Sequence, residues 1–502
     1  MAELFDKLLK EMHEEKHLNE AYGTLYWDLE TSMPKGGLND RSETLAYLAT
    51  EVLKKQTGDK RLSLLKALTE SEELLTLSEP WQKTVKLMYE EALRDKNIPE
   101  DFMNEFIKAQ ALCGSAWQEA KNTSDYSKYA PHLEKMIEYT KKMSQYKYPG
   151  KDIYESLLDD HEKGMDSATI DRLFGDLKQE LCPLIDEIVA KEDAENPKFK
   201  NLKIEKSHQE AVQKYLLDYI GFSFDKGSVG ETEHPFTLNI SCNDVRISNH
   251  FREDDAFDFM FSAIHEGGHA IFEQNVNPEY DGTPAGSCRF MGVHESQSRF
   301  FENILGRNIN FWKPIYSDIQ KLMPEIADIT LEEFHKEINH VKNSLVRTMA
   351  DEVTYGLHII IRYEMEKEIF NNGASVETLP ALWNKKYEEY LHIIPKNDAE
   401  GILQDMHWSD GSFGYFPSYL LGSIYDGMYL DAINSELGDV DTILREGRIK
   451  EITKWLNEKI HRYGSTRLPK EVIENVCGKE VSSEPLMRYF KNKYHKLYNM
   501  EK

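Results

Sequence analysis

Apolar residues recur along most of this chain at intervals of three and four, the spacing of a helix with one buried stripe. In MAELFDKLLKEMHEEKHL (1–18) they place Leu4, Phe5, Leu8, Leu9 and Met12 together. The same period runs through AYLATEVLKKQ, PWQKTVKLMYEEALRD and ATIDRLFGDLKQELCPLIDEIV. It also runs through residues 332–370, predicted as one long helix that is bent or closely approached at Gly356. Strand signals are few, and the clearest are the short, β-branched segments of His234–Phe251. There FTLNIS and DVRIS flank the turn-prone CND and predict a β-hairpin. No repeat of 20–50 residues is found. The polar stretch 191–207 is the best linker candidate but too short to separate independent domains. The expectation is one mainly α body with a small β-hairpin.

Composition narrows the functions. Lys and Arg number 61 against 88 Asp and Glu, a net charge of −27. Nucleic acid and anionic membrane surfaces both reward clustered Lys and Arg, so neither is an expected partner. The five cysteines, Cys113, Cys182, Cys242, Cys288 and Cys477, are scattered and lack CxxC spacing. That argues against a disulfide framework or a thiolate metal site and fits a reducing cytoplasm. The first residues are amphipathic and carry both charge signs, unlike a signal peptide. No run is apolar enough for a membrane span.

One stretch bears chemistry: SAIHEGGHAIFEQ, Ser262–Gln274, which contains His-Glu-x-x-His at His265, Glu266 and His269. A chance match in a chain of this composition arises in roughly one sequence in twenty. Acids precede it, and Phe257, Met260, Phe261, Ile264 and Ile271 supply apolar packing, so a helix is expected. On a helix, His265 and His269 leave one face a turn apart, suited to one metal ion. Glu266, about 100° around, is placed to act on a water as a base. Gly267 and Gly268 each cost about 1 kcal/mol relative to Ala. Close approach by another backbone, the DVRIS strand or a substrate would account for them. No His follows at the spacing of HExxHxxGxxH, so a third ligand lies elsewhere. In VHESQSRFFENILGRN (293–308), Glu295, Arg299 and Glu302 share a face opposite Phe300, Phe301, Ile304 and Leu305. By spacing alone this face suits a ligand or an ordinary salt-bridged surface equally.

Six blocks then occur in a fixed order: HPF (234–236), DVRIS (244–248), HEGGH (265–269), HESQ (294–297), VRTMAD (346–351) and GILQDMHW (401–408). With WDLETSMPKGG (27–37), GYFPSYLLG (414–422) and IHRYG (460–464), they resemble the M32 metallocarboxypeptidases of the carboxypeptidase Taq type, a gluzincin family, over nearly the whole chain. Ser248 stands where Thr is usual and Val346 where Ile is usual. The resemblance implies a neurolysin-like, two-lobed helical body with a deep central cleft. It implies a single peptidase domain over 1–502, with about 1–200 covering the cleft and about 201–502 catalytic. It also implies a homodimer that removes single residues from peptides with a free C-terminus.

The resemblance makes His265, His269 and Glu295 the metal ligands and Glu266 the catalytic base. One Zn²⁺ per subunit is implied, and Co²⁺ or Mn²⁺ suit the same donors. By analogy with related gluzincins, Tyr419 is the first choice of oxyanion donor, and Tyr415 is a substrate-binding residue or the alternative donor. His407 is a further candidate, for the oxyanion or the substrate backbone. Recognition of a C-terminal carboxylate calls for a guanidinium. Arg347 and Arg246 are the candidates, with an ordinary ion pair as the competing reading for each. His234 is a cleft residue or a structural cap, and Trp27 and Met33 read as packing. The DVRIS strand is a candidate for backbone pairing with the peptide. The alternatives are an oligoendopeptidase or dipeptidyl carboxypeptidase of the same metal chemistry, and a non-catalytic helical peptide-binding protein.

Overall fold

Helices dominate the computed structural model, which describes residues 3–191, 197–199, 202–253, 256–287 and 289–500. Most of the apolar stripes are buried as the three-four spacing predicts, but AYLATEVLKKQ (46–56) is helical without a buried stripe, and its Tyr47 and Leu53 are exposed. In the first helix (α1, Glu3–Thr31) Phe5, Leu8 and Met12 are buried, as is Trp27 farther along. The described residues cluster into two units, each drawn from three stretches of chain. The first comes from Met1–Leu93, Glu195–Ile338 and Tyr429–Lys479, and the second from Arg94–Ala194, Asn339–Met428 and Glu480–Lys502. Residues 192–196, 200 and 201 of the candidate linker 191–207 lie outside the described residues, as does Cys288.

The first unit holds the sheet. Its strands are β1 (Gly227–Glu231), β2 (Thr237–Ser241) and β3 (Asp244–Asn249), in the order β1-β3-β2. The hairpin is present: β2 runs antiparallel to β3, with Thr237 opposite Ile247 and an irregularity between Asn239 and Ser241. β1 pairs in parallel with the other side of β3. A Gly-containing segment of five residues offered no alternation by which to foresee it. With both edges of β3 occupied, the expectation that DVRIS pairs with a peptide is wrong, and among the described residues β1 and β2 are the edge strands of the sheet. Ser248 ties the sheet to the HPF block: its hydroxyl receives the Phe236 N–H at 3.0 Å and the Thr232 hydroxyl at 2.7 Å.

The long helix expected over 332–370 does not form. A short helix ends at Glu337, and a regular one (Tyr355–Phe370) begins only after an irregular stretch. Asp351 captures the backbone N–H groups of Lys342, Val353 and Thr354 and the Thr354 hydroxyl. Those donors are thereby diverted from a helix ladder. Gly356 lies in the first turn of the later helix, where an added Cβ would meet Leu181 and Leu420 at 3.3 and 3.4 Å. Close packing, not a bend, is its reason.

Candidate metal centre

Three elements of the first unit carry the centre: helix α2 (Lys206–Ile220), helix α3 (Asp258–Gln274) with the His-Glu-x-x-His, and helix α4 (Met291–Arg299) with Glu295. α3 is buried nearly all round, so its polar face has to be satisfied by neighbouring side chains. An added Cβ at Gly268 would stand 2.6 Å from the Gln297 carbonyl oxygen and 2.8 Å from the Ser298 Cα of α4. At Gly267 it would stand 2.7 and 2.8 Å from the Ile220 and Leu217 side-chain ends of α2. The two glycines therefore admit neighbouring helices. The expected approach of the DVRIS strand or a substrate is not what they serve.

That packing brings His265, His269 and Glu295 together, with one ligand-type atom of each within 4.8 Å of the others. His269 Nε2 and Glu295 Oε2 are 3.7 Å apart, too far for a hydrogen bond. Two donors at ~2.0–2.1 Å from one tetrahedral ion are separated by roughly 3.3 Å, so the cluster fits a metal with a small side-chain adjustment. Burial, with His294 and His265 nearby, holds the His269 pKa well below its usual value. It is thus the neutral imidazole that a ligand must be. Its ring stacks on His294 at 4.3 Å, and His294 Nε2 meets Glu273 Oε1 at 2.9 Å.

His265 is oriented from behind. Its Nδ1 lies 2.8 Å from Glu302 Oε2, an arrangement that leaves Nε2 for a metal. Glu302 belongs to a wide π-helical turn, Phe300–Leu305, that continues α4. Such turns often mark functional sites. Burial disfavours charge on Glu302, but the His265 hydrogen bond and the charges of His265, Arg307 and Arg299 prevail and hold its carboxyl at about 2. Burial likewise disfavours a charged His265, yet Glu302, Glu295 and Glu266 raise it to about 9. To serve as a ligand His265 would give up that proton, since only the neutral imidazole donates to a metal.

Glu266 is buried. Desolvation raises its pKa, against lowering by His265 and the Thr237 hydrogen bond. That bond runs from the Thr237 hydroxyl of β2 to Glu266 Oε2 at 2.5 Å. Arg246 forms a two-pronged pair with Asp244 on its own strand, both contacts 2.8 Å. His234 is exposed, and its backbone carbonyl accepts from Thr232.

The other predicted residues gather in the second unit. Arg347 is buried and donates to Asp405 Oδ1 through Nε at 3.1 Å and Nη2 at 2.8 Å. It also lies 5.0 Å from the centre of the Tyr419 ring. The other oxygen of Asp405 accepts Arg362 Nε at 2.6 Å. His407 Nε2 is 3.3 Å from the Tyr419 hydroxyl, and its ring stacks on Tyr415. Burial lowers the His407 pKa to about 4, so its imidazole is neutral near pH 7. Tyr415 meets Tyr419 edge-on at 5.0 Å. Glu366 lies fully buried beneath this group. It receives Tyr154 O–H at 2.9 Å, Trp408 Nε1–H at 2.9 Å and Gly414 N–H at 3.0 Å.

Sequence reading did not assign Thr237, Asp405, Arg362 or Glu366. Thr237 directly follows HPF and Asp405 sits inside GILQDMHW, so their blocks were a signal. Arg362 and Glu366 lie in an apolar helical run where nothing local marks them.

Among the described residues, no helix is long and apolar enough to cross a membrane. The chain matches the family described as carboxypeptidase Taq (M32) metallopeptidase over residues 7–494. It is 41% identical over 497 residues to carboxypeptidase 1 of Bacillus subtilis (strain 168), covering 99% of this chain and 98% of that protein. Its identity to the thermostable carboxypeptidase 1 of Thermus thermophilus is 32% over 505 residues, 98% and 99% of the two chains. The crystal structure of the M32 carboxypeptidase from Deinococcus radiodurans R1 superimposes with a TM-score of 0.95 at 30% identity, over 99% of each chain. Homology of this extent, on a chain whose His and Glu donors converge as a metallopeptidase requires, makes it a member of the carboxypeptidase Taq (M32) metallopeptidase family and a metal-dependent carboxypeptidase.

Proposed function

We propose that His265, His269 and Glu295 hold one divalent ion per subunit, Zn²⁺ first and Co²⁺ or Mn²⁺ as alternatives, and that Glu266 is the base that releases single C-terminal residues from peptides. The convergence of the three donor atoms beside a buried Glu266 carries this reading. When bound, the ion supplies Lewis acidity, acidifying a water and polarising a carbonyl. Glu266 takes a proton from the attacking water and returns it to the departing amine. Its Oε1 is the oxygen for that work, since Oε2 accepts from Thr237.

In this reading Tyr419 donates to the developing oxyanion. The neutral His407, bonded to the Tyr419 hydroxyl, orients it rather than acting as an acid, and Tyr415 stacks against both. Arg347 is the carboxylate anchor favoured over Arg246. Arg347 and Arg362 share the single negative charge of Asp405, which leaves one positive charge for a ligand. Arg246 is neutralised by Asp244. His234, exposed beside the sheet, is a contact for the peptide in this reading. The family resemblance further supports a single peptidase domain acting as a homodimer, and the scattered cysteines fit a cytoplasmic location.

The test is Glu266→Gln, read by metal content and by product masses from a peptide with a blocked amine. Wild type is expected to shorten the peptide one residue at a time, and the variant to keep its metal while losing at least ~100-fold in kcat. Surviving turnover overturns the assignment of the base, and internal cuts or released dipeptides overturn the single-residue reading.

A further inference from the structure

We infer that Thr237 is a positioning residue for the base: its hydroxyl fixes one oxygen of the Glu266 carboxylate, so that the other is presented to the attacking water. The inference deepens the reading of Glu266 as base and rests on it. At 2.5 Å from Glu266 Oε2, the hydroxyl makes the short contact of an O–H donated to a charged oxygen. Its alternative acceptor, the Glu266 backbone carbonyl, is farther at 3.1 Å. A carboxylate at the end of a Glu side chain has a broad terminal torsion, so a base needs an external tie to keep one oxygen in line.

The strand that carries Thr237 is itself held on both faces. Side chains alternate along β2, so Thr237 and Asn239 share one face while Leu238 and Ile240 share the other. Thr237 reaches Glu266 and Asn239 reaches Glu273, seven residues farther along α3 and therefore on the same helix face. On the opposite face, an added Cβ at Gly23 of α1 would meet Ile240 at 3.3 Å and Leu238 at 4.0 Å. α1 thus backs β2 closely, and Trp27 and Tyr26 pack on Phe236, the residue before Thr237. Threonine's branched Cβ adds a stiff first torsion. The family-like N-terminal block around Trp27 so acquires a role: it presses the hydroxyl-bearing strand onto the base.

The test compares Thr237→Val, which keeps the shape without the hydroxyl, with Thr237→Ser, which keeps the hydroxyl. Both are assayed for kcat, KM, metal affinity by chelator competition, and thermal unfolding. Thr237→Val is expected to lower kcat by about 10- to 100-fold with KM and metal affinity within about twofold of wild type, and Thr237→Ser to restore most of the loss. Unchanged kcat in Thr237→Val overturns the inference. So does a kcat loss matched by loss of metal affinity or thermal stability, which would mark a structural clamp only. So does a Ser variant as slow as the Val variant. If Glu266→Gln is inactive while Thr237→Val is fully active, only this inference fails; if Glu266→Gln keeps its turnover, the base reading itself fails.

Discussion

Replacing Gly268 by Ala should damage the metal centre although Ala is the better helix former. In a free helix the change would gain about 1 kcal/mol. Here the new methyl would lie 2.6 Å from the Gln297 carbonyl and 2.8 Å from the Ser298 Cα, both backbone atoms of α4 that no rotamer change can move. Ordinary contact begins near 3.4 Å, so α3 and α4 must separate by about 0.8 Å. His269 Nε2 and Glu295 Oε2, carried by these two helices, start 3.7 Å apart. Added in line, the separation takes them to roughly 4.5 Å, beyond the ~4.2 Å that two metal–ligand bonds span even when collinear. Overpacking of this kind costs typically 1–3 kcal/mol, more than the propensity gain. Gly268→Ala should therefore unfold at a lower temperature and lose at least about tenfold in metal affinity by chelator competition. Gly267→Ala is the control: its methyl meets only the movable ends of Ile220 and Leu217, and its metal affinity should stay within about threefold of wild type. Equal metal affinities for wild type and Gly268→Ala, or equal losses in the two variants, would refute the argument that helix contact sets the ligand spacing.

Two further outcomes follow from the carboxylates of Glu302 and Glu366. Glu302→Ala removes the acceptor behind His265 and should weaken metal binding by about 10- to 100-fold, with Glu302→Gln losing less because its amide oxygen still accepts; identical chelator curves for all three proteins would show that His265 needs no such support. Burial pushes the Glu366 carboxyl up to about 7 despite three donated hydrogen bonds. An acid raised in the folded state contributes stability that is whole below its unfolded value of 4.5 and is lost as pH climbs through about 7. The loss is about 3 kcal/mol. In denaturant melts, Glu366→Gln should therefore gain on wild type between pH 5 and pH 8, and parallel pH profiles would count against the shift.

Periodicity and motif spacing were enough for the helical character, the β2–β3 hairpin, the His-Glu-x-x-His helix and the family, because each is local or is a pattern repeated in order along the chain. The His265–His269 pair follows from helical geometry alone. Other features depended on groups distant in sequence. Asp351 capturing three backbone N–H groups broke a helix that periodicity alone would have continued. Parallel pairing of β1 against β3 put DVRIS in the middle of the sheet, with β1 and β2 at its edges. Gly267 and Gly268 looked alike as letters, yet one faces movable side-chain ends and the other a rigid backbone. Thr237 and Glu302 meet Glu266 and His265 across 29 and 37 residues of chain. Covalent spacing sets which side chains leave one helix together, whereas their orientation and charge are set by neighbours that only burial brings into hydrogen-bonding range.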